Sequence, residues 1–209
     1  MKPSLVFLVL GATVGPLAAQ TRVTLGASVV SVRVRNELPV GGGALSGVAF
    51  GGEGTLSVGR WLLAVTYHQG TVHPDSGSTP ARDLVEGGAA IGFRPLGWLT
   101  LEAGPRGRTY VFTSGTQRWL FWELRARAEE TFIGSGVKGY AELWRAASGN
   151  VSVPEPLDHA QGGEAGMTVR VSRMLEARVA YRIDHAVLGG GSRRETVDGI
   201  VVGVGLARR

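Results

Sequence analysis

The stretch Met174–Asp184, MLEARVAYRID, decides the fold. Leu175, Ala177, Val179, Tyr181 and Ile183 fall on one parity, and Glu176, Arg178, Ala180, Arg182 and Asp184 on the other. Successive side chains of a β-strand point to opposite faces, so the segment has one apolar face and one charged face. A helix would scatter the same Glu and Arg residues around its whole circumference. Arg118–Glu129 repeats the pattern, with Leu120, Trp122, Leu124, Ala126 and Ala128 opposing Phe121, Glu123, Arg125, Arg127 and Glu129.

Working outward, the same alternation predicts ten strands, at roughly 21–34, 44–58, 61–72, 83–94, 98–112, 117–131, 135–148, 160–172, 174–187 and 194–207. Segment one is ambiguous. Val23, Leu25 and Ala27 hold one parity and Val30, Val32 and Val34 the other, which predicts a bulge or a shifted register. Irregular pairing of segment one or two would reduce the count to eight. Short connections (Gly59-Arg60, Arg94–Gly97, Gly134, Ser172-Arg173) alternate with longer ones (Asn36–Gly43, His73–Arg82, Ser114–Thr116, Gly149–His159, Leu188–Arg193).

Composition narrows the class. The chain has 209 residues, 44% hydrophobic and 19% charged, which is too apolar for a disordered chain. No run of about 18 apolar residues remains for a helical membrane span. Without cysteine there is no disulfide scaffold and no Cys-ligated metal site. Lys2 and Lys138 are the only lysines among 22 basic residues, and the arginines are spread along the chain between apolar neighbours. A nucleic-acid protein would cluster them, so that partner is not expected. Met1-Lys2, the apolar Leu5–Leu10 and the small residues ending at Ala18-Ala19 have the layout of a secretory signal peptide. The expected division is therefore a signal peptide at 1–19 and an exported domain at 20–209.

About ten-residue alternating strands joined by short turns at one end and longer loops at the other fit a transmembrane β-barrel. Closure removes the open sheet edges that lipid cannot satisfy. Aromatic residues gather near the ends: Trp61, Phe93, Trp98 and Phe132 by the short turns, and Tyr67, Tyr110, Phe112, Trp119 and Tyr181 toward the longer loops. With Trp122, these are the expected interface girdles. In this pattern the chain resembles the small bacterial outer-membrane β-barrel class, over essentially all of the exported part. The resemblance implies an all-β, single closed antiparallel barrel in the outer membrane of a Gram-negative cell. It also implies insertion by the barrel assembly machinery and contact with outer-membrane lipid, including lipopolysaccharide. Members of the class usually end on an aromatic residue, whereas this chain ends Ala207-Arg208-Arg209.

The polar parity assigns Glu53, Glu86, Glu102, Glu123, Glu129, Glu142, Glu164, Glu176 and Asp184 to the lumen. With them go Arg94, Arg106, Arg108, Arg125, Arg127, Lys138, Arg170, Arg178 and Arg182. A balanced interior predicts a cross-linked ion-pair network that plugs the bore, and a single sign in excess would favour an ion channel. No complete catalytic set is found. Outer-membrane proteases of the omptin class use Asp and His at the outer rim, and Asp184-His185 is the nearest counterpart, but adjacent residues face opposite ways. His68 has lumen parity and is expected to be a satisfied hydrogen-bonding residue, and His73 and His159 lack metal-ligand spacing. Arg193-Arg194, with Arg35 and Arg82, are candidates for lipopolysaccharide phosphates. The expectation is a monomeric, non-enzymatic barrel without cofactor, serving the envelope structurally or in surface interaction. The alternatives are a narrow porin-like channel for small solutes and a soluble exported barrel binding an apolar ligand, with its apolar faces turned inward.

Overall fold

The computed structural model describes residues 21–39, 42–75, 80–134 and 136–208, so the expected signal peptide and the final arginine lie outside the described residues. Ten antiparallel strands close into one barrel: β1 (Thr21–Glu37), β2 (Gly42–Val58), β3 (Trp61–Pro74), β4 (Arg82–Leu96), β5 (Leu99–Phe112), β6 (Gly115–Ile133), β7 (Val137–Val151), β8 (Leu157–Arg170), β9 (Leu175–Leu188) and β10 (Arg193–Arg208). Each strand pairs with its sequence neighbours, and β1 closes the ring on β10 through a register from Val23–Arg208 to Glu37–Arg194.

The strands run longer than the alternation predicts and absorb much of the loops. The expected Ser114–Thr116 loop shrinks to a tight hairpin in which Phe112 faces Gly115, and the chain between β7 and β8 is only Ser152–Pro156. Length asymmetry between the two ends is correspondingly weaker than expected. Gly59 and Gly134 hold positive φ at the short-turn end, a conformation that L side chains rarely adopt.

β1 contains no bulge. It pairs without a register shift on both sides, which corrects the expectation drawn from its conflicting valines. Val23, Leu25, Ala27 and Val29 point outward, and the same outward row then continues as Ser31, Arg33 and Arg35. The inward row starts as Arg22, Thr24 and Ser28 and becomes Val30, Val32 and Val34. The parity never changes; the polarity of each face inverts part-way up the strand. β10 does the same, with Leu206, Val204, Val202 and Ile200 outward before Asp198 and Thr196, and so does β3 at Tyr67 before Gln69 and Thr71.

One physical cause accounts for both halves. Toward the short turns the outer surface is a belt of exposed Val, Leu and Trp and the interior is charged, which suits hydrocarbon outside. Beyond the inversion the outer surface is polar and the interior is an apolar dome, with Val34, Leu45, Val72, Leu84 and Trp119 all under 5% exposed. There the barrel is built like a soluble one, with its apolar residues inside. Over the belt the faces are the reverse of those a soluble apolar-ligand barrel needs.

The girdle residues sort by face. Trp61 packs on its cross-strand partner Phe93 with ring centroids 5.0 Å apart, and Trp98 and Phe132 lie exposed at the same end. Tyr67, Trp122 and Tyr181 face outward nearer the inversion. Trp119 does not belong to the girdle: it shares parity with Phe121 and Glu123 and is 2% exposed inside the dome. Tyr110 is buried inside as well, and Phe112 lines the bore. All three sit above the inversion, where large aromatics fill the interior instead of meeting the membrane interface.

Candidate functional site

Period-two geometry places side chains i and i+2 on one wall, so each strand delivers several charges to the same level of the bore. β5 supplies Arg106 and Arg108, β9 supplies Arg182 and Asp184, β6 supplies Glu123 and Arg125, and β4 supplies Glu86. Arg106 donates to Glu86 Oε1 at 2.8 Å, Glu123 Oε1 at 3.2 Å and Asp184 Oδ2 at 2.7 Å. Arg108 Nε donates to Glu86 Oε2 at 2.9 Å, and its Nη2 to Asp184. Arg182 Nη2 donates to Glu86 Oε1 at 2.6 Å and to Asp184 Oδ2 at 2.7 Å. Trp144 on β7 completes Asp184 with an Nε1 donation of 2.9 Å and lies under the Arg106 guanidinium at 5.2 Å.

The span of these contacts matters more than their number. β4 and β9 stand on opposite sides of a ten-strand ring, so the Arg182–Glu86 pair crosses the full bore. Arg106 from β5 reaches Asp184 on β9 along a second chord. Together they form a septum. Its charges are taken out of water, a cost that only complete pairing offsets, and the planar fork of Arg suits it to several carboxylates at once.

Around the septum lie secondary clusters. Arg178 donates to Glu53 at 2.7 Å, to Glu164 and to the Tyr140 hydroxyl, which donates to Glu164 at 2.6 Å. Arg125 donates to Glu123 through Nε and Nη2 and faces Glu142 at 3.8 Å. Arg127 stands 3.8 Å from Glu142 and 3.9 Å from Glu129, which also faces Lys138 at 3.8 Å, and Arg22 meets Glu176 at 3.5 Å. Among the described residues Glu102 has no ion pair within 4.0 Å, although it lines the cavity below the septum. Arg170, at the end of β8, is exposed and stands outside the network, because the sheet ends there and leaves its side chain in solvent.

Sequence parity placed most of the charged members on the interior face. It did not single out Tyr110, Tyr140, Trp144, Arg22 or Glu195, which complete the network. Tyr140 and Trp144 share even parity with Lys138 and Glu142, which is the signal that places them on the interior face. Glu195 lies 2% exposed, accepting from the Tyr110 hydroxyl at 3.1 Å with Arg108 at 3.9 Å.

Below the septum, on the side of the short turns, cavities of about 320 and 130 Å³ share Glu53, Glu102, Arg127 and Arg178 as walls and form a charged vestibule. A row of cross-strand partners crosses its upper wall: Ser28 on β1, Gly51 on β2, His68 on β3 and Glu86 on β4. The bare Gly51 lets the imidazole lie across β2, so that His68 Nε2 stands 2.8 Å from Ser28 Oγ. A Cβ at Gly51 would run into the Tyr67 carbonyl oxygen and come within 2.7 Å of His68 Cα and Cδ2. Gly51→Ala is therefore expected to destabilise the barrel by about 1–3 kcal/mol, the range of overpacking, measured as a lowered urea midpoint. A hydroxyl–imidazole pair beside a carboxylate has the elements of nucleophilic catalysis. Here both oxygens of Glu86 are held by arginines, so it does not orient the ring. Asp184 and His185 do not act together either: Asp184 is locked in the septum, while His185 faces outward with Nδ1 3.1 Å from Thr196 Oγ1. The described residues contain no cluster of three or more His, Asp or Glu suited to a metal ion.

No family model and no curated protein matches the sequence. Among solved structures, the outer membrane protease OmpT of Escherichia coli superposes with a TM-score of 0.57 at 8% identity, over 90% of this chain and 95% of that one. The translocator domain of autotransporter NalP from Neisseria meningitidis gives 0.53 at 14% identity, over 88% of each chain. At such identities the likeness is one of fold: the architecture is that of outer-membrane β-barrels.

Proposed function

We propose that this chain is a closed, non-conducting outer-membrane barrel, with a structural or surface-interaction role at the cell envelope. The carrying observation is the septum, in which Arg182–Glu86 and Arg106–Asp184 cross the bore at buried, mutually satisfied positions. Just above it the apolar dome fills the interior a second time. A solute would have to break several buried ion pairs and then pass a dry aromatic layer. Channels that select ions carry one sign of charge along an open path.

In this reading the short turns and both termini face the periplasm and the dome stands outside the membrane. The outer-membrane lipid meets the apolar belt, and the barrel assembly machinery inserts the chain. Of the candidate phosphate-binding arginines, Arg35 faces outward above the belt and pairs with Asp198 at 2.8 Å, and Arg194 is exposed beside it. These two can meet lipopolysaccharide phosphates. Arg82 and Arg193 line the bore at its loop end and are not available to lipid.

Purified protein in a planar bilayer is expected to give no stable conductance steps at high salt. Reproducible open steps from the unaltered chain would overturn the closed reading in favour of the narrow channel. Before that measurement, the extracted protein should run faster unboiled than boiled in dodecyl sulfate and fractionate with the outer membrane. A soluble protein with no such shift would remove the membrane assignment.

A further inference from the structure

The loop end of the barrel opens as a bowl of about 530 Å³, within the range of small-molecule sites. The dome beneath makes it blind, so it offers a place to stay and not a path to follow. Its polar walls are Arg82, Arg193, Asn36 and Gln117. Four buried side-chain polar atoms among the described residues have no hydrogen-bond partner, and two of them, Arg193 Nε and Asn36 Oδ1, belong to this wall. A third, Glu155 Oε2, belongs to the carboxylate 3.9 Å from Arg193 Nη1. Buried polar groups in native structures are almost always paired, so two orphans in one wall with a third beside Arg193 need an explanation.

The chemistry of the orphans specifies the occupant. Arg193 Nε is a donor in a cationic group and calls for an anionic acceptor, while Asn36 Oδ1 is an acceptor and calls for a donor. Arg82 adds a second cation, its guanidinium 5.3 Å from the centre of the Phe112 ring. Glu155 stands 3.9 Å from Arg193, and the buried Glu195 is held by the Tyr110 hydroxyl with Arg108 beside it. Gln117, with its amide oxygen turned toward the cluster, accepts from Arg193 Nη2 at 3.2 Å and Trp119 Nε1 at 2.9 Å, which ties the guanidinium to the dome. Leu38, Phe112 and Val153 supply apolar wall. We propose that the bowl binds a small carboxylate that carries a hydroxyl or amino donor and an apolar or aromatic body. The carboxylate meets Arg193 and Arg82, the donor meets Asn36, and the body lies against Phe112. This deepens the surface-interaction reading and depends on the bore being closed.

The test is calorimetric titration of the full chain in lipid nanodiscs with 3-phenyllactate, a water-soluble carboxylate with a hydroxyl and a ring. Neutral 3-phenylpropanol and cationic phenethylammonium are the comparisons. Saturable one-to-one binding of phenyllactate is expected, weakened about tenfold or more for the neutral analogue and for Arg193→Gln, the loss of a charged hydrogen bond. Leu38→Glu, outside every strand, should abolish binding by placing a like charge at the wall, so the test survives if Arg193→Gln fails to fold. Lys138→Gln, in the vestibule at the far end, should leave affinity unchanged. No saturable heat, equal binding of the cation, or loss of binding in Lys138→Gln would overturn the assignment. Conductance is read separately: open steps would remove the closed-bore reading, whereas absent binding with a silent bilayer would remove the bowl alone.

Discussion

Asp184→Ala should lower the stability of the folded barrel by about 3–5 kcal/mol, the cost of breaking a buried ion pair by removing one partner. Asp184 accepts from Arg106, Arg108, Arg182 and the Trp144 indole, so its loss leaves three guanidiniums with Glu86, with Glu123 beside Arg106 and with Glu195 3.9 Å from Arg108, one buried carboxylate short. The fraction of faster-running, folded band against urea concentration measures it. The effect belongs to unpaired charge and not to lost volume, which a second variant separates. Asp184→Leu combined with Arg106→Met removes a cation together with the anion and should recover a substantial part of the loss. If Asp184→Ala were as stable as the unaltered chain, the septum would not be the buried network its geometry indicates. If the double substitution were no better than the single one, packing and not charge would carry the effect.

The second large effect lies on the opposite face. Val204 points outward from β10 in the middle of the row Ile200, Val202, Val204 and Leu206. Val204→Arg places a guanidinium near the bilayer midplane and should cost about 2–4 kcal/mol. Ser31→Arg is outward too, on the neighbouring strand, opposite Ile200 and Val48 at the upper edge of the apolar row, one step below the polar pair Arg33–Asp198. Its cost should fall to about 0–1 kcal/mol. The contrast tests the polarity inversion directly, because a barrel immersed along its whole length would penalise both sites. Equal costs at the two positions would mean that the upper barrel is not clear of lipid.

The alternation in Leu175–Asp184 and Leu120–Glu129 is enough for strand type and for the facing of most charged residues, whereas the choice of ten strands over eight rests on how segments one and two pair. That information is local: a period of two assigns a face whatever the strand pairs with. Strand ends were less legible, since a polar residue such as Asn36 or Gly149 reads equally as loop or as strand standing in water. β1 shows the limit most clearly. Its switch from Val29 to Val30 resembles a slip of register only if the inner face stays polar throughout. In the proposed membrane setting, the outer surroundings change from lipid to water part-way up the strand, and both faces invert with the backbone undisturbed. Trp119 misled for the same reason, since an aromatic near a strand end marks an interface only if it faces outward.

Period-two alternation thus assigned most of the charged side chains to the bore, because facing needs no knowledge of distant partners, but not the aromatics Tyr110, Trp119, Tyr140 and Trp144 that pack among them. Only the closed ladder decided that Arg182 meets Glu86 across half the ring, that Gly51 lets His68 reach Ser28, and that Arg193 and Asn36 face one cavity. Those meetings depend on the stagger of ten strands around a circle, where a shift of one residue at any pairing would move a charge to the opposite face. Such a long-range constraint leaves no trace in the period of any single strand.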